Sequence, residues 1–274
     1  MPEYLIYNDK FYTTTDNVIN FNKHSLKYGD GLFETMKVEY LTIQLANYHF
    51  ERLFKGMKIL GIDPPAYFTP DFVEVMVREL LDRNNHKAIA RARLAVFRDA
   101  ADQYFVSDSF NYVIQSFPLE HFDDLNDKGL TLGIYDEVRK SPDILSNVKT
   151  NSVLPYLMAA CFAKRNDLSD CLILNTQGRA CDTTIANIFI IKDNIIYTPS
   201  LEEGCIAGVM RRHILQKLKA YYTLIETEIS LEELMEADEV FLTNAIRGIR
   251  WVEKFEGRKY KCETVTKVWH RVFG

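Results

Sequence analysis

The spacing of apolar residues divides the chain into short strands and amphipathic helices. Leu53, Phe54 and Met57 recur at helical spacing, which predicts a helix over residues 48–59 that ends before Gly61. The same spacing predicts further helices over residues 71–83 (with Asp71 as a candidate cap), 153–165 and 209–222.

Alternating apolar and polar residues predict strands between these helices. The predicted strands cover residues 5–12, 41–46, 88–98, 111–117, 130–138, 171–175, 187–191 and 239–242. The segment IFIIKDNIIYTP predicts a β-hairpin with Asp193 and Asn194 as its turn residues. Strands and helices are therefore mixed along the chain, which indicates an α/β fold of the mixed α+β kind, with several antiparallel strand pairs.

A polar and acidic stretch, LEHFDDLNDK, separates the two halves of this pattern. Such a stretch is typical of a linker between domains. We therefore predict a smaller N-terminal α/β domain over residues 1–117, a linker over residues 118–128 and a larger C-terminal domain over residues 129–274.

Composition narrows the class of protein. The 274 residues are 47% hydrophobic and 26% charged, which is ordinary for a globular chain. The net charge of −5 argues against nucleic acid and anionic lipid as partners. No apolar run reaches the roughly 20 residues that span a bilayer, and the N-terminus has no secretory pattern. Five cysteines without a CxxC pair are expected to be reduced thiols, so we expect a cytoplasmic protein.

Common catalytic motifs are missing. There is no GxxxxGK[ST] or GxSxG sequence, and the histidines lack the spacing of metal ligands, so we expect no metal site. Gly29 and Gly31 form a GxG, but Glu34 takes the third glycine position of a dinucleotide fingerprint.

Lys149 is the first candidate for chemistry. It precedes the predicted helix 153–165, where Asn151 or Ser152 is a candidate cap and Pro155 fits the first turn. The positive end of the helix dipole and desolvation favour a neutral amine, which a nucleophilic lysine needs. A solvated surface lysine is the alternative. The apolar face of this helix, expected to be buried, consists of Leu154, Leu157, Met158, Cys161 and Phe162.

Two further features suit an anion. Arg52, in NYHFERLFKG, offers a guanidinium fork for phosphate, although an ion-paired surface arginine also fits. In EEGCIAGVMRRHIL, Gly204 and Gly208 precede a helix whose first N–H groups, at Val209 and Met210, form an anion site. A simple loop entering a helix would have the same sequence.

Asp182, Thr243 and Asn244 are the remaining candidates. Asp182 precedes an apolar strand, where it either caps the turn or, if buried beside a heterocyclic nitrogen, keeps that nitrogen protonated. Thr243 and Asn244 follow a predicted strand, where they either complete a turn or contact a ligand.

The order of these motifs resembles that of the class IV, or fold-type-IV, pyridoxal-phosphate enzymes, over about residues 7–252. The matching segments are YGDGLFET, HFERL, the lysine before a helix, GRACDTTIANIF, GCIAGVMR and ADEVFLTNAIRGIRWV. The family includes branched-chain and D-amino-acid aminotransferases and 4-amino-4-deoxychorismate lyase. The resemblance implies the two-domain fold of that family, pyridoxal 5′-phosphate as cofactor, a small-molecule substrate and a homodimer.

The resemblance also implies roles for individual residues. Lys149 matches the lysine that holds the cofactor covalently and shuttles protons. Cofactor phosphate is implied to bind Arg52, Val209, Met210, Asn244 and Ala245. Asp182 matches the carboxylate that faces the pyridine nitrogen. Phe33 and Arg98 fall near positions that contact substrate in some members.

Several positions depart from the family pattern. Asp182 replaces the usual glutamate and is one methylene shorter. Lys23 and His24 replace an acidic–arginine pair, Trp251 replaces a customary proline, and Phe33 lacks a hydroxyl that some transaminases have there.

The resemblance leaves three functions open. TNAIRGIRWV resembles the lyase form of the last motif, which implies release of pyruvate and 4-aminobenzoate from 4-amino-4-deoxychorismate. The alternative is a transaminase acting on branched-chain or D-amino acids. A non-catalytic pyridoxal-phosphate-binding protein of the same fold is the third hypothesis, because the departures gather around the cofactor motifs.

Overall fold

The computed structural model describes residues 3–18, 27–98, 109–120 and 124–274. It divides into two compact units, one of residues 1–121 with 148–152, and one of residues 122–147 with 153–274. Lys23 and His24 lie outside the described residues. No helix in the described ranges is long and apolar enough to cross a membrane.

The first unit is an antiparallel sheet with two helices on one face. The sheet has the order β2-β1-β6-β5-β3-β4. Its strands are β1 (Tyr4–Tyr7), β2 (Lys10–Thr13), β3 (Gly31–Glu39), β4 (Thr42–Ile43), β5 (Ile89–Arg98) and β6 (Phe110–Pro118), and its helices are α1 (Ala46–Leu60) and α2 (Pro70–Arg83).

Alternation along the strands gives this sheet two different faces. Leu32, Leu94 and Ile114 belong to the core that also contains Leu53 of α1 and Val77 of α2. Because successive side chains of a strand point to opposite faces, the residues between them point away from the helices. Those residues form the face on which the candidate site lies.

The second unit is built on a mixed sheet of order β12-β11-β10-β13-β14-β7-β8-β9, with β15 paired to β14. Its strands are β7 (Leu130–Lys140), β8 (Asp170–Asn175), β9 (Ala180–Thr183), β10 (Asn187–Lys192), β11 (Ile195–Pro199), β12 (Leu224–Thr227), β13 (Glu239–Asn244), β14 (Gly248–Phe255) and β15 (Arg258–Lys259). Its helices are α3 (Leu154–Arg165), α4 (Val209–Leu218), α5 (Leu231–Glu236) and α6 (Glu263–Phe273), with a 3₁₀ turn at Leu201–Glu203. The mixed α/β fold predicted from the sequence is confirmed.

Turn residues explain where the predicted strands hold and where they fail. Asp193 and Asn194 have positive φ angles of 51° and 61°, as the predicted hairpin turn requires. The predicted strand 5–12 is wrong, because Asn8 and Asp9, with φ of 44° and 66°, turn the chain between β1 and β2. The predicted strand 41–46 shortens to β4, since Leu45 adopts a left-handed conformation.

The helix predictions need smaller corrections. Thr69, and not Asp71, caps α2, because the Thr69 side chain accepts from the Phe72 N–H. Helix α4 ends at Leu218, four residues before the predicted end at Tyr222.

Helix α3 buries a different face from the one expected. Ala159 and Ala163 pack on Tyr135 and Ile173, because small side chains let the helix lie close to β7 and β8. The larger residues expected to be buried are instead exposed or half-buried in the single chain: Leu154, Leu157, Met158, Cys161 and Phe162. Asn151 and Ser152 do not cap α3, whose N-cap is Val153 without a side-chain hydrogen bond.

The predicted linker has an ordered end. The buried Asn126 side chain donates to the carbonyls of Lys128 and Trp251 and accepts from the Trp251 N–H. The Trp251 indole donates to the Asn126 carbonyl at 2.7 Å. The tryptophan that departs from the family pattern therefore fastens this segment to β14. The linker and the boundaries 1–117 and 129–274 stay predictions.

Gly31 supplies a test of the packing at the start of β3. Its φ is +151°, and a Cβ there would lie 2.9 Å from the Cβ of Phe97 and 2.6 Å from the Asn151 side chain. We expect Gly31→Ala to lower the free energy of unfolding by about 3 kcal/mol, from backbone strain and overpacking together. Urea denaturation measures this change.

Gly178→Ala is the matched control, because Gly178 also has positive φ (+78°) but open space around its Cβ position. It should lose only about 1–2 kcal/mol, the strain term alone. Equal losses in the two variants would show that packing around Gly31 is not tight.

Candidate active site

Lys149 lies beside β3 because the chain forms an isolated antiparallel β-bridge there, between Thr150 and Leu32. The Phe33 N–H donates to the Lys149 carbonyl and the Asn151 N–H to the Gly31 carbonyl, each at 2.9 Å. Val148 consequently joins the helix-side core, and the alternation of the strand turns Lys149 to the opposite face. Residues 148–152 belong to the first unit, and Lys149 is one of them. The domain boundaries predicted from the sequence put Lys149 in the C-terminal domain instead.

Phe33 joins Lys149 to a second cation. The Lys149 Nζ lies 4.6 Å from the centre of the Phe33 ring, and the Arg93 Cζ lies 4.1 Å from it. Aromatic faces attract cations over such distances. The Phe33 ring therefore contacts both the candidate nucleophile, Lys149, and the Arg93 guanidinium. The resemblance assigns Phe33 to substrate contact.

A cavity of about 510 Å³ opens on this face of the sheet. Arg91 and Arg93 line it from β5, and Arg91 stacks on the Phe117 ring at 4.6 Å. Burial, and then the charge of Arg91, lower the pKa of Arg93 below its ordinary value. The remaining lining consists of Gly29, Thr35, Ala95, Phe97, Val113, Gln115, Phe117 and Asn151.

Arg52 occupies the other face of β3. Its Nε and Nη2 donate to the two carboxylate oxygens of Glu34 at 2.7 and 2.6 Å, and the His49 Nδ1 lies 2.6 Å from Glu34 Oε2. Alternation along β3 places this pair and the Phe33–Lys149 pair on opposite faces of the strand. Binding of phosphate by Arg52 stays a prediction.

Arg98 closes the end of β5 against neighbouring backbone. Its Nε and Nη2 donate to Asp30 at 2.8 and 2.7 Å, and its Nη1 donates to the Leu60 carbonyl at 2.8 Å. The guanidinium that the resemblance assigns to substrate is thus bound to Asp30, and its contact with substrate stays a prediction. The arginines of β5 that line the cavity are Arg91 and Arg93.

In the second unit, Asp182 of β9 is buried and accepts four hydrogen bonds. Lys140 Nζ, the Tyr156 hydroxyl and the Ile206 N–H donate to Oδ2 at 2.9, 2.9 and 3.0 Å, and Asn187 Nδ2 donates to Oδ1 at 3.0 Å. The side chain is 3% exposed. A buried carboxylate with these partners is held in one orientation.

The start of α4 has the features of an anion site. Gly208 is its N-cap and has no side chain with which to cap the first N–H groups, which include those of Val209 and Met210. A Cβ at Gly208 would collide with the Asn187 side chain. The same Asn187 donates to Asp182, so one residue supports the helix start and the carboxylate.

Asn244 and Ala245 follow β13. Asn244 Oδ1 accepts from the N–H groups of Ile246 and Arg247 at 3.0 and 2.8 Å, so its side chain shapes the turn. Within the described part of the chain, the buried Thr243 Oγ1 has no hydrogen-bond partner. An uncapped helix start, an orphan hydroxyl and a buried carboxylate form a donor and acceptor set that fits a phosphorylated pyridine.

Sequence reasoning missed Arg91, Arg93, Lys140, Tyr156 and Asn187. Arg91 and Arg93 alternate with apolar residues on β5, and that pattern places both on the face away from the helices. Lys140 and Tyr156 lie 42 and 26 positions from Asp182, and no local pattern relates them. They meet because β7 pairs with β8, and β8 with β9.

Comparison with known proteins gives the class. Residues 31–255 match the family model of amino-transferase class IV. The chain belongs to this family, whose cofactor is pyridoxal 5′-phosphate.

Three curated relatives have two different activities. The chain is 27% identical to an aminodeoxychorismate lyase of Vibrio harveyi (87% of this chain, 88% of the relative) and 29% identical to one of Bacillus subtilis (94% and 88%). It is 24% identical to a branched-chain-amino-acid aminotransferase of Pseudomonas aeruginosa (86% and 79%).

Among solved structures, the branched-chain aminotransferase of Thermoproteus uzoniensis, determined with norvaline, superimposes with a TM-score of 0.88 at 22% identity. The match covers 98% of this chain and 93% of that one. The fold is therefore that of the fold-type-IV aminotransferases, as predicted.

The Glu34 cluster gives a pH-dependent test. Burial raises the pKa of Glu34, but the charge of Arg52 and the hydrogen bonds from His49 and Arg52 outweigh it and lower the pKa from 4.5 to about 2. The stability from this depressed pKa is present above pH 4.5 and is lost as the pH falls toward 2. Glu34→Gln should lower the free energy of unfolding by roughly 3 kcal/mol at pH 6, and by progressively less as the pH falls below 4.5.

Urea denaturation of both proteins between pH 3 and 7 measures this difference. Glu39→Gln is the control, because Glu39 pairs with Lys37 on the same strand but is 27% exposed. That variant should change stability by less than about 1 kcal/mol. A loss in Glu34→Gln that does not vary with pH would contradict the proposed charge pairing.

Proposed function

We propose that this protein is a pyridoxal-phosphate-dependent lyase that converts 4-amino-4-deoxychorismate into 4-aminobenzoate and pyruvate. The observation that best supports this proposal is the pair of arginines that line the cavity, Arg91 and Arg93. Arg91 and Arg93 have no carboxylate within ion-pair distance among the described residues, and both rest on aromatic rings. Two uncompensated cations in one concave site favour a ligand that brings two anionic groups.

The lyase substrate meets that requirement better than an aliphatic amino acid. 4-Amino-4-deoxychorismate has a ring carboxylate and an enolpyruvyl carboxylate, whereas leucine or D-alanine has one carboxylate. The apolar part of the lining, which includes Phe97, Val113 and Phe117, suits a carbocyclic ring. A dicarboxylic amino acid has the same charge, so a transaminase that uses one is the competing function.

The segment TNAIRGIRWV supports the same choice, because it resembles the lyase form of the last motif. Overall identity does not separate the two activities. The two lyases are 27% and 29% identical to this chain, and a putative branched-chain-amino-acid aminotransferase of Methanocaldococcus jannaschii is 28% identical.

Each group that the resemblance assigns to the cofactor has a role in this proposal. Lys149 would hold the cofactor covalently, and Asp182 would serve its ring nitrogen. Arg52, the N–H groups of Val209 and Met210, and the turn at Asn244 and Ala245 would bind its phosphate. Bound pyridoxal phosphate supplies an electron sink for the bond that breaks.

The chain itself moves the proton and orients the substrate. Once the substrate amine has displaced it from the cofactor, the Lys149 Nζ would remove the proton from the ring carbon that carries the amino group; it lies near the Phe33 ring that Arg93 also contacts. Arg91 and Arg93 would each bind one carboxylate and fix the ring relative to that amine. Cleavage of the neighbouring ring C–O bond then makes the ring aromatic and releases enolpyruvate, which takes up one proton to become pyruvate.

We further propose that the protein acts as a homodimer in the cytoplasm. Leu154 and Leu157 on α3 are 65% and 56% exposed, and Ile144 is 70% exposed. An apolar face of this kind is typical of subunit contacts. The five cysteines are free thiols, which fits a reducing compartment.

Turnover without an amino-group acceptor tests the reaction. With 4-amino-4-deoxychorismate, the protein should release many equivalents of 4-aminobenzoate and pyruvate in the absence of any keto acid. Elimination leaves the cofactor ready for the next cycle, whereas transamination leaves it as its amine. Product release is followed by 4-aminobenzoate fluorescence and by pyruvate reduction.

The alternatives give different results in that assay. One turnover that stalls with leucine, glutamate or D-alanine and resumes on addition of 2-oxoglutarate or pyruvate would show a transaminase. A yellow protein that turns over none of these compounds would show a non-catalytic binding protein. Either result would contradict the lyase.

Removing either guanidinium tests the pocket. A charge-assisted hydrogen bond is worth roughly 1.5–3 kcal/mol, so Arg91→Met and Arg93→Met should each raise KM for 4-amino-4-deoxychorismate about tenfold to a hundredfold. Each variant keeps most of the aliphatic stem, and far-UV circular dichroism checks that each folds.

Arg83→Met is the matched control. Arg83 also stacks on an aromatic ring of the first unit, 3.8 Å from the centre of Phe11, but it belongs to α2 and does not line the cavity. Its KM should match that of the unmodified protein. An unchanged KM in both Arg91→Met and Arg93→Met would contradict the proposed binding of the substrate carboxylates by these arginines.

A further inference from the structure

Lys140 lies at the end of β7, outside the chemistry assigned to Lys149. The Lys140 side chain is 9% exposed, and its Nζ lies 2.9 Å from Asp182 Oδ2 and 3.3 Å from the Ser146 carbonyl. It also contacts the Tyr156 hydroxyl. Burial, the largest single cause, lowers the pKa of Lys140, but the charge and hydrogen bond of Asp182, together with smaller contributions from Cys181 and Cys205, leave the pKa raised. Lys140 is therefore an ammonium.

The Lys140 ammonium donates to Oδ2 of Asp182, the carboxylate oxygen that also accepts the other two hydrogen bonds on that side. Oδ2 of Asp182 accepts from Lys140, Tyr156 and Ile206, whereas Oδ1 accepts from Asn187 alone. A carboxylate has about four lone-pair sites. The remaining capacity lies on Oδ1, which is the oxygen left for another donor.

The ionisable groups packed around this pair are neutral. Burial, followed by the charge of Asp182, raises the pKa of the Tyr156 hydroxyl. The same two causes raise the pKa of the Cys181 thiol, and raise that of Cys205 to about 12. All three groups stay protonated at neutral pH.

The more distant charges are already paired. Glu203 pairs with Arg179, and Arg211 pairs with Glu226, each at 2.6 Å. Among the described residues, the local charge at Asp182 is therefore that of one carboxylate and one ammonium, which sum to zero.

We propose that the Lys140 ammonium compensates the charge of Asp182 and thereby lowers the affinity of the cofactor's ring nitrogen for a proton. Protonating a ring beside a neutral ion pair creates a buried net charge, which is unfavourable. Protonating it beside a lone carboxylate creates a neutral pair. Lys140 is accordingly a positioning residue that acts through Asp182. The inference rests on the proposed position of Asp182 beside the ring nitrogen, and it holds for a lyase and a transaminase alike.

Nitrogen-15 NMR of the holoenzyme, loaded with pyridoxal phosphate labelled at the ring nitrogen, measures the proton directly. In Lys140→Met the ring nitrogen should lose its proton at a pH roughly one to three units higher than in the unmodified protein. Lys140→Arg keeps the charge and should titrate like the unmodified protein. A midpoint in Lys140→Met that is equal or lower would overturn the inference.

Two further variants keep the result interpretable. Lys140→Gln, which is neutral and still able to donate to Asp182, repeats the comparison if Lys140→Met does not fold by circular dichroism. Lys140→Met/Asp182→Asn should lose the upward shift, because an amide does not balance a pyridinium. A shift that persists in the double variant would overturn the role of Asp182, and it would do so whatever the turnover assay shows.

Discussion

The pairing of residues 149–151 with the first residues of β3 determines where the reactive amine lies. Two hydrogen bonds of 2.9 Å, from Phe33 to Lys149 and from Asn151 to Gly31, fix the register. A shift of one residue would turn Val148 outward and Lys149 into the core. The lysine, the aromatic ring beneath it and the cavity arginines therefore share one face because of strand alternation.

Electrostatics distinguishes the two lysines that the cofactor chemistry involves. Lys140 is bound to a buried carboxylate, which keeps it charged and unsuited to nucleophilic attack. Lys149 lies on the Phe33 ring with Arg93 as its neighbour. Lys140 compensates the charge of Asp182, whereas Arg91 and Arg93 have no carboxylate within ion-pair distance among the described residues. The cavity arginines are therefore the cations that remain for an anionic substrate.

The sequence predicted what depends on local pattern and on motif order. The α/β class, the hairpin at Asp193 and Asn194 and the lysine before a helix are all local. The register of residue 149 on β3 and the pairing of Lys140 with Asp182 depend on strand order, which no local spacing encodes. The buried face of helix α3 was predicted wrongly for a related reason. Ala159 and Ala163 are buried because they pack on Tyr135 of β7 and Ile173 of β8, which are distant in sequence.

The attachment point of the cofactor tests the central claim most directly. Borohydride reduction of the protein loaded with pyridoxal phosphate, followed by peptide mapping, should place the label on Lys149 and should give no label in Lys149→Ala. Lys140, whose side chain is 9% exposed, also lies near a proposed cofactor group. A label on Lys140, or one that survives in Lys149→Ala, would contradict the account.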